Sequence, residues 1–151
     1  MSDLKKSFFK GDFALVFFTS LLMFTAFYFM LPTLPVFLTR VLQIDEGQTG
    51  IILSVYTLAA LLIRPFTGFL IDRYGRKMFY LPSLLLFALL FVIYPFTGVF
   101  VFILLVRFVH GAIWGVSTTT GSTLIVDIVP AERRGGGIGL YGLAMTFPMA
   151  A

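Results

Sequence analysis

The stretch "GFLIDRYGRK", residues 68–77, places four charged side chains between two long apolar segments. Asp72 falls at the C-terminal end of one predicted helix and Lys77 at the start of the next. Each charge has the wrong sign for the dipole of its own helix. We therefore expect each to have a partner elsewhere, and Asp72 would suit the N-terminus of another helix. The alternative is a basic cytoplasmic loop whose single acid pairs with a neighbouring arginine.

The other polar residues and glycines of this stretch have simpler expected roles. Arg73 and Arg76 are predicted to hold the loop at the anionic cytoplasmic surface. Gly68 lies one turn before Asp72 and would allow another helix to approach closely. Gly75 supplies the conformational freedom that a tight turn requires.

Arg107 is the most costly residue of the chain, because it lies about eight residues, or roughly 12 Å, into a predicted membrane span. A cation near the bilayer centre costs roughly 2.5–3.5 kcal/mol on insertion scales. Gly111 and Gly115 share its helix face, which predicts a close helix contact. Two interpretations stay open for Arg107: its side chain faces a polar cavity, or it snorkels to the outer interface.

Two further groups of polar residues are candidates for function. His110 can carry a proton at physiological pH, although a lone histidine without an acidic neighbour is also typical of a hydrogen-bonded helix residue. After the fourth apolar segment, the sequence predicts an interfacial charge cluster on the cytoplasmic side. Its members are Asp127, Glu132, Arg133 and Arg134.

Enzymatic chemistry has no support in the sequence. The chain has one histidine and no cysteine, and it has no clustered carboxylates, phosphate-binding loop or metal-ligand spacing. We therefore expect no catalytic residues, no metal and no cofactor. The basic residues form no continuous stripe, so nucleic acid is not an expected partner.

Composition places these residues in a membrane protein. Of 151 residues, 59% are hydrophobic and 12% are charged, which is more apolar surface than a soluble domain of this size can bury. A span needs about 20 apolar residues, and isolated backbone in lipid must be helical. The expected fold is an all-α bundle of transmembrane helices. Its spans are predicted at about 13–38, 49–71, 78–96 and 100–126, with a partial span from about 137.

Basic residues predict the orientation of the chain in an integral cell membrane. The loops on one side carry eight lysines and arginines and those on the other carry only Arg40, so the N-terminus is expected in the cytoplasm. The eight are Lys5, Lys6, Lys10, Arg73, Arg76, Lys77, Arg133 and Arg134. Because the fifth apolar run stops early, we also expect the chain to be part of something longer.

The charged stretches resemble the signatures of the major facilitator superfamily of transporters. "GFLIDRYGRK" matches the G-x-L-x-D-R-x-G-R-K pattern between helices 2 and 3. "RFVHGAIWG" resembles the R-x-x-x-G pattern of helix 4, and "DIVPAERRGGGIG" is similar to the connection into helix 5. Members have twelve helices in two halves, so the resemblance implies that the chain is the incomplete N-terminal half, roughly the first two-fifths of a transporter.

The resemblance implies roles for particular residues. Asp72 would latch a helix of the missing C-terminal half while the transporter faces outward. Arg107 would serve substrate or proton coupling, with His110, Thr25 and Tyr28 also facing the central cavity. The implied activity is secondary transport of a small organic solute by alternating access, with the proton as the default coupling ion and export favoured over uptake.

Two features keep other interpretations open. Many proton antiporters of this family have an acid in helix 1, and none lies within residues 13–38; the glycine–proline pattern of helix 5 is only hinted at by Gly139, Gly142 and Pro148. The second hypothesis is a self-contained small multi-helix membrane protein with a structural or assembly role. The rest of the reading frame would distinguish the two.

Overall fold

A computed structural model describes residues 2–150, with side chains described from Gly11 onward. Every regular element in this part of the chain is helical, which confirms the predicted all-α class. Lys5, Lys6 and Lys10, used to predict orientation, have side chains outside the described ones. The main helices are α1 (Ser2–Val36), α2 (Glu46–Tyr74), α3 (Arg76–Ile93), α4 (Phe100–Ile128) and α5 (Arg134–Ala150).

Among the described residues, four helical stretches are long and apolar enough to cross a membrane. They are Gly11–Val41, Glu46–Tyr74, Arg76–Phe96 and Phe100–Ile128. Each continues beyond the apolar run from which a span was predicted, because helical backbone satisfies its own hydrogen bonds through the interfacial region as well as the hydrocarbon core. The chain is thus a multi-pass membrane protein.

The C-terminal end of α1 departs from regular α-helical geometry. The helix continues through Pro32 and Pro35 and then widens into a π-helical segment, Phe37–Val41. Prolines lack a backbone N–H, so the turns before this segment are short of donors. The wide turn is closed by the Leu42 N–H, which donates to the Phe37 carbonyl at 3.2 Å.

The ends of α2 are defined by two local devices. At its start, the Asp45 carboxylate accepts hydrogen bonds from the backbone N–H groups of Gly47 and Gln48 at 2.8 and 3.0 Å, as an N-cap residue does. At its end, Gly75 alone separates α2 from α3, with φ 92° and ψ 144°. This conformation is accessible almost only to glycine. The glycine therefore allows the backbone to pass from α2 to α3 within one residue.

One compact unit of the chain comprises residues 29–120. Its core brings together the end of α1 and parts of α2, α3 and α4. The buried members are Leu34, Leu38, Ile52, Leu90, Tyr94, Ile103 and Val106. Many leucines and phenylalanines of the same helices are exposed, for example Leu61 and Phe66, as expected for side chains that face lipid.

The second compact unit comprises residues 1–28 and 121–151. In its described part, Val16, Met23, Ile125 and Ala144 are buried. A polar contact also joins α1 and α5, since the hydroxyl groups of Ser20 and Tyr141 lie 3.1 Å apart and are buried. The described part of this unit therefore buries apolar side chains together with the hydroxyl pair of Ser20 and Tyr141.

Candidate functional site

Arg107 is buried in α4, with 4% of its surface exposed. Its guanidinium carbon lies 4.1 Å from the ring centroid of Tyr56 in α2. Its Nη1 atom is 3.5 Å from the Tyr94 hydroxyl and 3.8 Å from the Met30 sulfur. The cation is therefore held by an aromatic face, a hydroxyl and a thioether, all of them neutral.

His110 lies one turn further along the same face of α4 and is 1% exposed. Its Nδ1 atom is 3.0 Å from the Tyr94 hydroxyl. The rings of Phe87 and Phe91 pack on the imidazole, with centroid distances of 4.6 and 4.9 Å. Tyr94 thus contacts both Arg107 and His110, and we call Tyr56, Tyr94, Arg107 and His110 the buried polar cluster.

Glycines of α4 allow the close approach that forms this cluster. A Cβ atom added at Gly111 would collide with the Tyr56 carbonyl group, whose carbon would lie at 2.8 Å. At Gly115 it would lie 2.7 Å from the Ala60 carbonyl oxygen. Backbone contact between α2 and α4 at these points brings the Tyr56 ring within reach of Arg107.

The buried cation has no carboxylate partner among the described residues. A cation–π contact contributes up to about 2 kcal/mol when desolvated, and the Nη1–hydroxyl contact is long for a hydrogen bond. Together they offset only part of the cost of a buried charge. In the described part of the chain, Arg107 Nε and His110 Nε2 also have no hydrogen-bond partner. A snorkelling arginine keeps its head group exposed, whereas this guanidinium is enclosed by side chains.

Thr25 and Tyr28 belong to the compact unit of residues 1–28 and 121–151, whereas Arg107 and His110 belong to that of residues 29–120. Thr25 is exposed, and its hydroxyl donates to the Leu21 carbonyl of its own helix at 2.8 Å. Tyr28 is half-buried, and its ring meets that of Phe27 edge-on at 5.4 Å. Their role in a cavity stays a prediction.

The signature stretch, residues 68–77, forms the end of α2, the Gly75 turn and the start of α3. The Asp72 carboxylate lies 3.7 Å from the Arg76 guanidinium, and their side chains are 73% and 31% exposed. Arg73 lies over the Tyr74 ring at 5.4 Å, and Lys77 is exposed. The local pairing that the alternative interpretation expected is therefore present.

Gly68, at the start of that stretch, makes no close helix contact within the described residues. A Cβ atom added there would have no neighbour within 4 Å. The close approach that the sequence predicted at this position is thus not made by any described residue outside the local helix.

The predicted charge cluster lies around the connection between α4 and α5. Asp127 is in the last turn of α4, Glu132 and Arg133 are in the 3₁₀ turn Ala131–Arg133, and Arg134 begins α5. All four are exposed. Within residues 11–150, no ion pair joins Glu132, Arg133 and Arg134 to one another.

The sequence did not indicate three residues of the site, Tyr56, Tyr94 and Met30. Each lies in an apolar span where an aromatic or methionine side chain is typical of lipid contact or core packing. The two tyrosines left a weak signal, since a hydroxyl within an apolar segment needs a partner when it is buried. Within the described residues, no group of three acidic, histidine or cysteine side chains has the arrangement of a metal site.

A cation buried inside a membrane span is costly, and such residues mark functional sites, substrate and ion pathways among them. The sequence profile of the Major Facilitator Superfamily matches residues 16–151. The chain belongs to this family, which confirms the resemblance drawn from its signature residues.

Individual relatives are transporters and export proteins of bacteria. The chain is 34% identical to the staphylopine export protein of Staphylococcus aureus over 112 residues, which cover 69% of the chain and 27% of that protein. It is 30% identical to the uncharacterized transporter YebQ of Escherichia coli (83% of the chain, 28% of that protein). It is 27% identical to the quinolone resistance protein NorA of S. aureus (79% and 30%). The chain thus spans less than a third of the length of these curated relatives.

Proposed function

We propose that this chain forms the N-terminal part of a secondary active transporter that exports a small organic solute by alternating access, driven by protons. It would contribute helices 1–4 and the start of helix 5 to a twelve-helix protein in the cell membrane, with its N-terminus in the cytoplasm. The partners in this proposal are the lipid bilayer, a small-molecule substrate, protons and a C-terminal half of the same polypeptide.

The observation that carries the proposal is the buried polar cluster. A cation inside a span costs free energy that neutral partners only partly restore, and such residues in membrane helices mark substrate or ion pathways. Arg107 and His110 are therefore the proposed coupling residues, with Thr25 and Tyr28 as further cavity residues. The export direction is supported by two relatives, the staphylopine export protein and the quinolone resistance protein NorA.

The proposed role of the signature stretch is conformational. Asp72 has an exposed carboxylate at the C-terminal end of α2, where the helix dipole disfavours negative charge. Its pair with Arg76 is 3.7 Å long, with the Asp72 side chain 73% and the Arg76 side chain 31% exposed, and a solvent-accessible pair contributes about 0–1 kcal/mol. Asp72 is thus available for a stronger partner at the N-terminus of another helix in the outward-facing state.

Transport assays on the protein expressed from its complete reading frame test this proposal. Everted membrane vesicles are energised to build a proton gradient, and a panel of organic compounds that includes a quinolone is added. A pH-sensitive dye reports proton release, and filtration reports compound uptake. We expect at least one compound to release protons and accumulate, and a protonophore to abolish both signals.

Two results would contradict the proposal in different ways. Accumulation that persists after the proton gradient collapses would reject proton coupling while retaining transport. A complete protein that moves no compound in either direction, although it is correctly inserted, would favour the structural or assembly role instead.

A further inference from the structure

The Tyr94 hydroxyl stands between the only histidine of the chain and its buried arginine. Its oxygen lies 3.0 Å from His110 Nδ1 and 3.5 Å from Arg107 Nη1. Tyr94 is the C-cap residue of α3 and begins the 3₁₀ turn Tyr94–Phe96, whereas both partners are on α4. One hydroxyl group therefore connects two helices and two functional candidates.

The chemistry of the three groups fixes the direction of these contacts. A guanidinium has N–H donors and no acceptor, so the Tyr94 oxygen must direct a lone pair toward Arg107. At 3.5 Å this is a long contact. The positive charge nevertheless orients the hydroxyl dipole with its oxygen toward the guanidinium at that distance. The single hydroxyl proton of Tyr94 is then left for His110 Nδ1.

The direction of the second contact selects one form of the imidazole. If Tyr94 donates to Nδ1, this nitrogen is the acceptor, and a neutral imidazole carries its only proton on Nε2. His110 Nε2 has no hydrogen-bond partner among the described residues. The Phe87 and Phe91 rings pack on the imidazole, and aromatic faces are weak N–H acceptors, so a proton at Nε2 is compatible with these surroundings.

We infer that Tyr94 is a positioning residue: its hydroxyl accepts from Arg107 and donates to His110 Nδ1, and so holds His110 as the Nε2–H tautomer. Its ring belongs to the apolar core of residues 29–120, so the hydroxyl has a fixed position from which to orient both partners. The consequence for transport rests on the proposed function, whereas the tautomer does not.

Solid-state NMR on the complete protein, labelled with ¹⁵N-histidine and reconstituted in lipid at neutral pH, tests the tautomer directly. The His110 signals are those that disappear in His110→Gln. We expect a pyrrole-type Nε2 and a pyridine-type Nδ1. A protonated Nδ1 in the wild-type protein would overturn the inference.

Tyr94→Phe tests the positioning role, because it removes the hydroxyl and keeps the ring that packs in the core. We expect a mixture of the two tautomers and a transport rate about tenfold lower, the effect of losing one hydrogen bond to a charged group. Tyr56→Phe is the matched control for the tautomer: Tyr56 meets Arg107 and His110 through its ring, which phenylalanine keeps, so the Nε2–H form should persist in this variant.

The outcomes separate the inference from the proposed function. If the complete protein transports nothing but Tyr94→Phe changes the tautomer, the proposed function fails and the positioning role stands. If transport and tautomer are both unchanged in Tyr94→Phe, the positioning role fails and the proposed function stands. If Tyr94→Phe does not fold, the wild-type spectrum alone still decides which nitrogen carries the proton.

Discussion

The buried polar cluster and the signature stretch show two opposite ways in which this chain holds an arginine. Arg107 is 4% exposed and has only neutral partners, whereas Arg76 is 31% exposed and faces a carboxylate at 3.7 Å. Desolvating a charge costs far more than an exposed ion pair returns. Burying Arg107 therefore costs folding free energy, whereas the charges at the turn contribute little to it. If a charge substitution at the turn greatly lowers the transport rate, the cause cannot be a loss of folding stability.

Arg107→Ala should have the largest effect on transport. We expect the export rate of the complete protein to fall roughly a hundredfold, because the only cation of the cluster and its contacts are lost together. Membrane insertion should not suffer, since removing a buried cation relieves a cost of roughly 2.5–3.5 kcal/mol. Initial export rates in vesicles, normalised to inserted protein, measure the effect.

Arg107→Lys is the matched control for charge. Lysine keeps the positive charge but not the planar guanidinium that stacks on Tyr56, so its rate should lie between wild type and alanine. An alanine variant that exports at the wild-type rate would remove Arg107 from the proposed site.

Gly111→Val should lower the stability of the helix packing. Its new side chain would meet the Tyr56 backbone and force α2 and α4 apart, at a cost of about 1–3 kcal/mol. Thermal unfolding in detergent micelles measures the loss. Gly68→Val is the matched control, because a Cβ atom there has no neighbour within 4 Å; equal losses in both variants would contradict close packing of α2 on α4.

Gly75→Ala should destabilise the turn by about 1–3 kcal/mol, because alanine is strained at φ 92° and ψ 144°. The same unfolding assay measures it. Gly50→Ala lies inside α2 with open space around it and should instead gain up to about 1 kcal/mol from helix propensity. A Gly75→Ala variant as stable as wild type would mean that the turn relaxes to another conformation.

Asp72→Asn should change stability least, by less than about 1 kcal/mol, since its pair with Arg76 is exposed. If Asp72 is a latch, the export rate of the complete protein should nevertheless fall about tenfold. Arg76→Gln breaks the same local pair but keeps the carboxylate. Equal transport losses in the two variants would assign the effect to the local pair and reject the latch.

The sequence predicted the helices and the importance of Arg107, because both depend on features of a single segment of the chain. Apolar runs of sufficient length define spans without tertiary information, and Arg107 is conspicuous because charge inside a span is costly. The freedom of Gly75 was likewise a local property. These features depend on the residue and its immediate neighbours along the chain.

The partners of Arg107 could not be predicted, because they depend on how helices pack. Tyr56 and Tyr94 are ordinary residues within apolar spans. The glycine contacts between α4 and α2 bring Tyr56 to the cation, and the 3₁₀ turn after α3 places Tyr94 beside it. The interpretation of Arg107 as snorkelling or cavity-facing also omitted a third arrangement, in which aromatic residues of the same chain enclose the guanidinium. Neither hydrophobic periodicity nor residue spacing in the sequence indicates that these aromatic side chains surround the guanidinium.

The π-helical segment Phe37–Val41 affects how α1 aligns with the corresponding helix of related proteins. A π turn holds one residue more than the α turn it replaces, so it acts as an inserted residue that the helix has absorbed without a loop. Deleting one residue between 37 and 41 would restore α geometry downstream and rotate that end by one position against the core that contains Leu38. Single-residue gaps in alignments of α1 with its relatives are therefore expected at this segment, where the backbone already accommodates the difference.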